Sequence, residues 1–312
     1  MNVDVVIVTY NRLEKLKKAL ASYENQTKTF RNMIVVNNHS TDGTYEYLEE
    51  WKVEKASFAK HVITTEDNLG GSGGFYTGQK YAMALCPDWV YLADDDAYPE
   101  PDMMEQFYGF CRAHEVSKLS AICGMVYNNK GKIAYQHRST YEIRNRYYYQ
   151  RIDSIDGDYG KPFFQIDLLS YVCAFINYKA LRKVGLVNPR YFIYYDDTEH
   201  SMRLKKYGDL ICVPSIRIVH DDAGNVEDRQ DNEISWQVYY FIRNMNHMLK
   251  KHHVLAAIYN TRQILKDINS GTLSAAETQL LKASVKDVWK GRLGKHILYR
   301  PGWKVIIGED EK

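Results

Sequence analysis

Trp89-Val90-Tyr91-Leu92-Ala93-Asp94-Asp95-Asp96 is a short apolar run closed by consecutive carboxylates. The run predicts a buried strand and makes the acids its C-terminal lip. Side chains on an extended chain alternate between faces, so Asp94 and Asp96 share one side while Asp95 looks to the other. Adjacent carboxylates raise one another's pKa, which calls for a positive partner, either Arg or Lys or a hard cation that takes oxygen ligands. A divalent metal is the simpler choice, because ligands of open α/β sheets gather at the carboxyl ends of strands. On the triplet alone, a solvated acidic turn stopped by Pro99 competes evenly with this reading.

The flanking segments repeat the strand-then-polar-lip pattern. Val3 to Thr9 is a nearly continuous β-branched run, as a strand covered on both faces requires. It passes through Tyr10-Asn11-Arg12 into a helix with Leu13, Leu16, Leu20 and Tyr23 at helical spacing. Met33 to Val36 predicts a second strand that exits through Asn37-Asn38, followed by a helix ending near Trp51. His61 to Thr64 predicts a third strand. After it, the glycine-rich loop Asn68 to Phe75 precedes a helix from about Tyr76 to Leu85, an arrangement that favours close backbone approach to an anion. The dinucleotide fingerprint fails where Tyr76 stands, and no Gly-Lys-Ser/Thr follows for a P-loop. Beyond the acidic lip, Pro101 opens a helix to about His114, and Leu119 to Cys123 predicts another strand.

Asn128 to Lys161 breaks the pattern and predicts a mobile or substrate-facing insertion. Order returns over Gln165 to Ile176, and a helix is expected over Tyr178 to Val184. The aromatic stretch Tyr191 to Tyr195 then delivers a second acidic cluster, Asp196-Asp197-Thr198-Glu199-His200, whose helix runs to about Tyr207. Ile211 to Pro214 and Ile216 to Val219 lead to His220-Asp221-Asp222. The tail is helical, with a 3.6-residue apolar period over Ser235 to Lys251 and a capping box at Ser274-Ala275-Ala276-Glu277.

Composition narrows the function classes. The 312 residues carry 41 basic and 39 acidic side chains, a net charge of +2, so no bulk charge draws the chain to nucleic acid. Five widely spaced cysteines without a CxxC pair indicate neither zinc nor a disulfide framework, and they predict buried thiols in a reducing compartment. Met1 leads within two residues into a strand and no apolar run spans a bilayer, so a cytoplasmic protein without a signal peptide is expected. Aromatic clusters among the 26 tyrosines suit a sugar-binding cleft, although core and rim packing accounts for most of them.

Taken in order, these strand-end features can face one edge of one sheet, and here the chain resembles the family 2 glycosyltransferases of the GT-A fold, in their galactofuranosyl- and rhamnosyltransferase-like branch. The stretches that carry the resemblance are Val6 to Arg12, Asn68 to Phe75, Leu92 to Asp96, Tyr195 to His200, His220 and Trp236 to Asn244, and it covers roughly residues 3 to 250. It implies an α/β Rossmann-like nucleotide-diphospho-sugar transferase, a mixed sheet flanked by helices. The catalytic domain would span residues 1–250, with a nucleotide-sugar half to about 125 and an acceptor half from about 126, and residues 251–312 would form a helical extension. Thr9, Tyr10, Arg12, Asn37, Asn68, Gly71, Asp94 and Asp95 would hold the nucleotide-sugar. Asp94, Asp96 and His220 would bind the Mn2+ or Mg2+ that bridges the donor diphosphate. Asp197 would deprotonate the acceptor hydroxyl, with Tyr171, Asp196, Glu199 and His200 facing the acceptor. Relatives often carry an acid at Asn37, and tryptophans where Tyr171-Val172 stand.

The implied reaction moves a sugar from a UDP-sugar, UDP-galactofuranose first, to a glycan, glycolipid or glycoprotein during cell-surface polysaccharide or glycoprotein assembly, with inversion. Its chemistry needs charge neutralised on the leaving diphosphate and one carboxylate to take a proton. Competing assignments are a dTDP-rhamnose-type transferase and a catalytically silent nucleotide-sugar-binding subunit. A sugar nucleotidyltransferase is disfavoured because Thr9-Tyr10-Asn11-Arg12 replaces its glycine-rich basic loop. Residue by residue, Asp197 competes with a helix N-terminal acid, His220 with a core histidine, and Arg243 is a phosphate contact or a surface charge. The lysine-rich tail packs on the catalytic domain first; self-association and a peripheral contact with the inner membrane face are the other choices.

Overall fold

The computed structural model describes residues 1–221 and 233–306, so Asp222 of the late acidic motif lies outside the described residues. The first half comprises β1 (Val3–Thr9), α1 (Leu13–Glu24), β2 (Asn32–Asn37), α2 (Thr44–Val53), β3 (Ala59–Thr64), α3 (Gly70–Ala84), β4 (Trp89–Asp94), β5 (Ala97–Pro99), α4 (Met103–Ala113) and β6 (Leu119–Asn128). A hairpin follows, β7 (Arg138–Arg144) and β8 (Tyr148–Asp153), then the single turn α5 (Asp156–Tyr159) and the short strands β9 (Phe164–Ile166), β10 (Leu168–Leu169) and β11 (Ala174–Asn177). Next come α6 (Tyr178–Val184), α7 (Asp196–Lys205) and the long β12 (Asp209–His220). After the gap stand β13 (Glu233–Ser235), α8 (Trp236–His252), α9 (Val254–Asn269), α10 (Ala275–Trp289) and β14 (Lys304–Ile306).

Nine of these strands form one mixed sheet in the order β3-β2-β1-β4-β11-β6-β12-β5, with β9 also paired to β12. Strands β1 to β4 are mutually parallel where they touch, and β11 inserts antiparallel between β4 and β6. The alternation along β1 divides the core. Val3, Val5 and Ile7 pack with Leu16, Leu20, Trp51 and Phe107 under α1, α2 and α4, whereas Val6 and Val8 pack with Phe75, Leu181 and Leu204 under α3, α6 and α7. Every residue of β1 is buried, which is why the strand tolerates no polar face. Its one charge, Asp4, is held by Arg31 through bonds of 2.9 and 2.6 Å and by Asn32 at 2.8 Å.

Three local expectations change. The glycine-rich segment is not a loop ahead of the helix but the first turns of α3, which begins at Gly70. A Cβ on Gly74 would lie 2.4 Å from Val8 Cγ1 and one on Gly78 2.2 Å from Val6 Cγ1, so these glycines let the helix press onto β1. Ile211 to Val219 is a single strand that passes through Pro214, because a register shift between Val213 and Arg217 absorbs the missing donor. The insertion is an ordered hairpin, β7–β8, extended by β10. Of the cysteines, Cys123, Cys173 and Cys212 are buried as expected, whereas Cys86 is exposed and Cys111 is partly so.

Candidate functional site

Parallel pairing aligns the strand ends. Val8 stands opposite Asp94 and Thr9 opposite Asn37, so β1, β2 and β4 finish level at one edge. The far side arrives by a different pairing: β12 runs antiparallel to β5 with His220 opposite Ala97, and the Asp221 N–H donates to Asp96 O at 2.8 Å. A cavity of about 650 Å³ opens at this edge, lined by Thr9, Tyr10, Arg12, Asn68, Gly71, the acids 94 to 96, Tyr171, Asp196, Asp197 and His220.

The acidic lip splits its tasks. Asp96 Oδ2 accepts from Arg12 Nη1 at 2.7 Å, Lys15 Nζ lies 3.7 Å away, and Asp96 Oδ1 is 3.2 Å from His220 Nε2. Burial pushes the Asp96 carboxyl up, but His220, Arg12 and Lys15 bring it below the usual range. Asp95 Oδ1 lies 3.4 Å from the same Arg12 Nη1, and burial raises its carboxyl to about 7. Asp94 is raised to about 6 by burial and by the charge of Asp96. Ligand atoms of Asp94, Asp96 and His220 lie within 4.8 Å of one another. Two carboxylates and an imidazole form a donor set that suits Mn2+ or Mg2+.

The second acidic cluster opens α7. Asp196 and Asp197 occupy its first turn, where the helix dipole favours anions. Burial and the charge of Asp197 raise Asp196 to about 8, so Asp196 is protonated at neutral pH. Burial also raises Asp197, but Arg151 and the Thr198 N–H, 2.6 Å from Oδ1, offset part of that effect. Asp197 is thus the member of the pair with charge-stabilising partners.

A strained segment delivers these acids. Phe192, Tyr194 and Tyr195 all have positive φ, of 70, 65 and 63°; Phe192, with ψ of −61°, centres a γ-turn closed by the Ile193 N–H on Tyr191 O at 2.9 Å, and such backbone costs about 1–3 kcal/mol per non-glycine residue. Asn244 on α8 holds it: Nδ2 lies 2.9, 2.7 and 3.0 Å from the carbonyls of Tyr191, Ile193 and Tyr194. Arg243 adds a bond to Tyr191 O at 3.0 Å and one to Gly294 O at 2.7 Å. Arg243 is thus neither a surface charge nor a phosphate contact; it is buried and ties the tail to the loop that carries Asp197.

Other expected residues are placed away from the cavity wall. Asn37 is fully buried and accepts from the Ser40 N–H at 3.0 Å, while its neighbour Asn38 lines the cavity and donates to Asn68 Oδ1 at 3.2 Å. Glu199 is buried under Arg203, Lys251 and His252, with bonds of 3.0, 2.6 and 3.2 Å, which hold its carboxyl well below the usual range. His200 is buried between Tyr171 Oη at 2.7 Å and Gly185 O at 3.1 Å, and burial lowers it to about 3. Both are framework groups in this geometry, whereas Tyr171 and Asp196 reach the wall.

Sequence reasoning passed over His137 and Arg151, which the insertion brings to the wall, as well as Trp236, Gln237 and Pro301 from the tail. No periodicity marks the first two. An Arg-Asn pair within the apolar period of α8 was a legible sign that this helix serves something other than solvent.

Comparison with known proteins agrees with this geometry. The model of the family "Glycosyl transferase family 2" matches residues 4–185, more than half of the chain. Galactofuranosyltransferase GlfT1 of Mycolicibacterium smegmatis is 27% identical over 210 residues, and the match covers 65% of this chain and only 65% of that protein. The dTDP-rhamnosyl transferase RfbF of Shigella flexneri is 24% identical over 306 residues, covering 95% of this chain and 93% of its own. Among solved structures, GalNAc-T7 with UDP, GalNAc and Mn2+ superposes with a TM-score of 0.61 at 13% identity, over 93% of this chain and 56% of that one. S. aureus TarS 1-349 in complex with UDP-GlcNAc gives 0.57 at 14% identity, over 94% and 82%. These likenesses show the fold; together with the family match they establish that this chain belongs to glycosyl transferase family 2 and has the GT-A fold.

Proposed function

We propose that the chain is a metal-dependent, inverting glycosyltransferase that moves a sugar from a nucleoside-diphosphate donor to a hydroxyl of a glycan, glycolipid or glycoprotein. The observation that carries this reading is the presence, in one cavity, of the converging Asp94, Asp96 and His220 and of Asp197. Asp94, Asp96 and His220 would hold Mn2+ or Mg2+, which supplies Lewis-acid neutralisation of charge on the departing diphosphate. Arg12 orients Asp96 through its 2.7 Å bond, and Thr9, Tyr10, Asn38, Asn68 and Gly71 border the nucleotide end. Asp197 takes the acceptor hydroxyl's proton, a task suited to a carboxylate whose pKa is raised toward neutrality. Asp196, protonated, donates a hydrogen bond instead.

A UDP-sugar, with UDP-galactofuranose first, is the donor favoured by the galactofuranosyl relatives, although the chain spans only about 65% of their length. A dTDP-sugar is the second reading, supported by the rhamnosyl relative that matches 95% of the chain. No helix among the described residues is long and apolar enough to cross a membrane, and we place the protein in the cytoplasm, at or near the inner membrane face, in surface-glycan assembly. The test is a screen of UDP- and dTDP-sugars with Mn2+ for thermal stabilisation, where a ligand at 100 times its Kd adds about 2.7 kcal/mol. Slow release of nucleoside diphosphate from the best binder separates an enzyme from a silent binder. Binding and release undiminished by excess EDTA would overturn the metal-dependent reading.

A further inference from the structure

The hairpin that the sequence left undefined brings one buried polar atom to the cavity. His137 ends the 3-10 turn Tyr135–His137 just ahead of β7, is 9% exposed, and lines the cavity. Its Nδ1 lies 2.7 Å from Ser170 Oγ, whereas Nε2 is buried with no hydrogen-bond partner among the described residues. Buried polar atoms are nearly always paired, so an unpaired one on a cavity wall points to an atom of the ligand.

Ser170 bears on what Nε2 offers. Its Oγ accepts from Arg138 Nη1 at 3.5 Å and has its own hydrogen to give to His137 Nδ1. In the tautomer that takes it, the neutral ring carries its proton on Nε2 and presents a donor to the cavity. The ring stands edge-on to His220, with centroids 5.1 Å apart and planes at 86°. Yet His137 is outside the set of groups whose ligand atoms converge within 4.8 Å, namely Asp94, Asp96 and His220, so it is not a further metal ligand in this arrangement. Arg151 on the same wall is engaged with Ser139 Oγ at 2.9 Å and Asp153 Oδ1 at 3.2 Å, whereas His137 Nε2 has no partner among the described residues.

We propose that His137 binds the transferred sugar, its Nε2–H donating to a ring hydroxyl oxygen of the donor. This rests on the functional reading above, in which His220 stands at the diphosphate: a group beside His220 on the cavity wall meets the first atoms beyond the phosphates, which belong to the sugar. A phosphate oxygen could accept the same bond, and the test separates the two.

Two variants divide the ring's contacts. His137→Gln extends an amide nitrogen to about where Nε2 stands, while His137→Asn keeps a partner for Ser170 and empties the cavity position. Calorimetric titration with Mn2+ would use UDP and UDP-galactofuranose, and in parallel dTDP and dTDP-rhamnose. For whichever sugar nucleotide the wild type binds, His137→Asn weakens affinity by about tenfold, leaves the matching nucleoside diphosphate unchanged, and His137→Gln restores most of the loss. Unchanged sugar-nucleotide affinity in His137→Asn overturns the proposal. Equal weakening of the sugar nucleotide and the diphosphate also overturns it, assigning His137 to the phosphates. If both variants lose affinity alike and melt equally early without ligand, His137 is a framework residue. A wild-type chain that binds none of the four probes overturns the UDP- and dTDP-sugar readings of the donor on which this proposal rests.

Discussion

Asn244→Ala removes one side-chain amide from α8 and with it the clamp on the segment that presents Asp197. Tyr191 O keeps the Arg243 bond at 3.0 Å and the Ile193 N–H at 2.9 Å, so the carbonyls that lose their side-chain donor are those of Ile193 and Tyr194. Leaving a buried acceptor unpaired costs about 1–3 kcal/mol. Relaxation of the left-handed residues toward water limits the total, and we expect a loss near 3 kcal/mol, with Tm lower by roughly 5–10 °C. That same relaxation displaces Asp197, and a misplacement of about 1 Å can cost on the order of a hundredfold in rate. Urea denaturation gives the stability, and transfer assays at saturating donor give the rate. Asn260→Ala is the control: its amide makes a single 3.2 Å bond to Asn246 from a half-buried position, worth about 1 kcal/mol or less. An Asn244→Ala protein within 1 kcal/mol of that control, with normal turnover, refutes the clamp.

Asp96→Ala abolishes Mn2+-dependent donor binding while far-UV circular dichroism is preserved; donor affinity that survives the substitution argues against the metal site. Asp197→Asn lowers transfer by at least about a hundredfold with donor affinity nearly unchanged, and a variant that keeps most of its activity removes Asp197 from the role of base. Because burial raises Asp197, the acid limb of the wild-type rate profile lies above the ordinary aspartate value, activity falling as pH drops through that raised pKa; a limb at or below it contradicts the assignment. His200, lowered to about 3 from 6.5, stays neutral in the fold while the unfolded chain takes up a proton below pH 6.5. Its contribution is complete above that pH and is lost on acidification at up to about 1.4 kcal/mol per unit, whereas the raised Asp95 and Asp196 act in the opposite sense, so the difference in urea midpoint between the wild type and His200→Asn should shrink from pH 7.5 to 5.5, and a constant or growing difference would count against it.

Strand ends and helix faces were legible because burial imposes a period on the residues that make them. Val3 to Thr9, the stripe Leu16-Leu20-Tyr23 and the Ser274–Glu277 capping box all formed at or near the expected positions. Readings failed where tertiary contact decides the role of a residue. Gly74 belongs to a ligand-cradling pattern until β1 is laid against it. Glu199 and His200 sit beside Asp197 in sequence, but a helix turns successive side chains through about 100°, and both point into the body of the protein. Asn37 and Asn38 diverge for the corresponding reason on an extended chain. His137 lacked any local signal, because its importance arises only when the insertion folds back beside His220.

The junction of β5 and β12 makes ion affinity a gauge of strand register. His220 meets Asp96 where Ala97, Tyr98 and Pro99 zip against His220, Val219 and Ile218, joining segments in which Tyr98 and Asp221 are 123 positions apart. Because β6 fixes β12 with His220 opposite Asn128, sliding that zipper by one residue would carry Asp96 away from the imidazole and dismantle the donor set without altering a single side chain. A three-residue edge strand has little cohesion of its own. Under the proposed set, a cation acts as a rivet between the acidic turn and the last strand, and amide exchange at Tyr98 and Val219 would report its arrival before any sugar is moved.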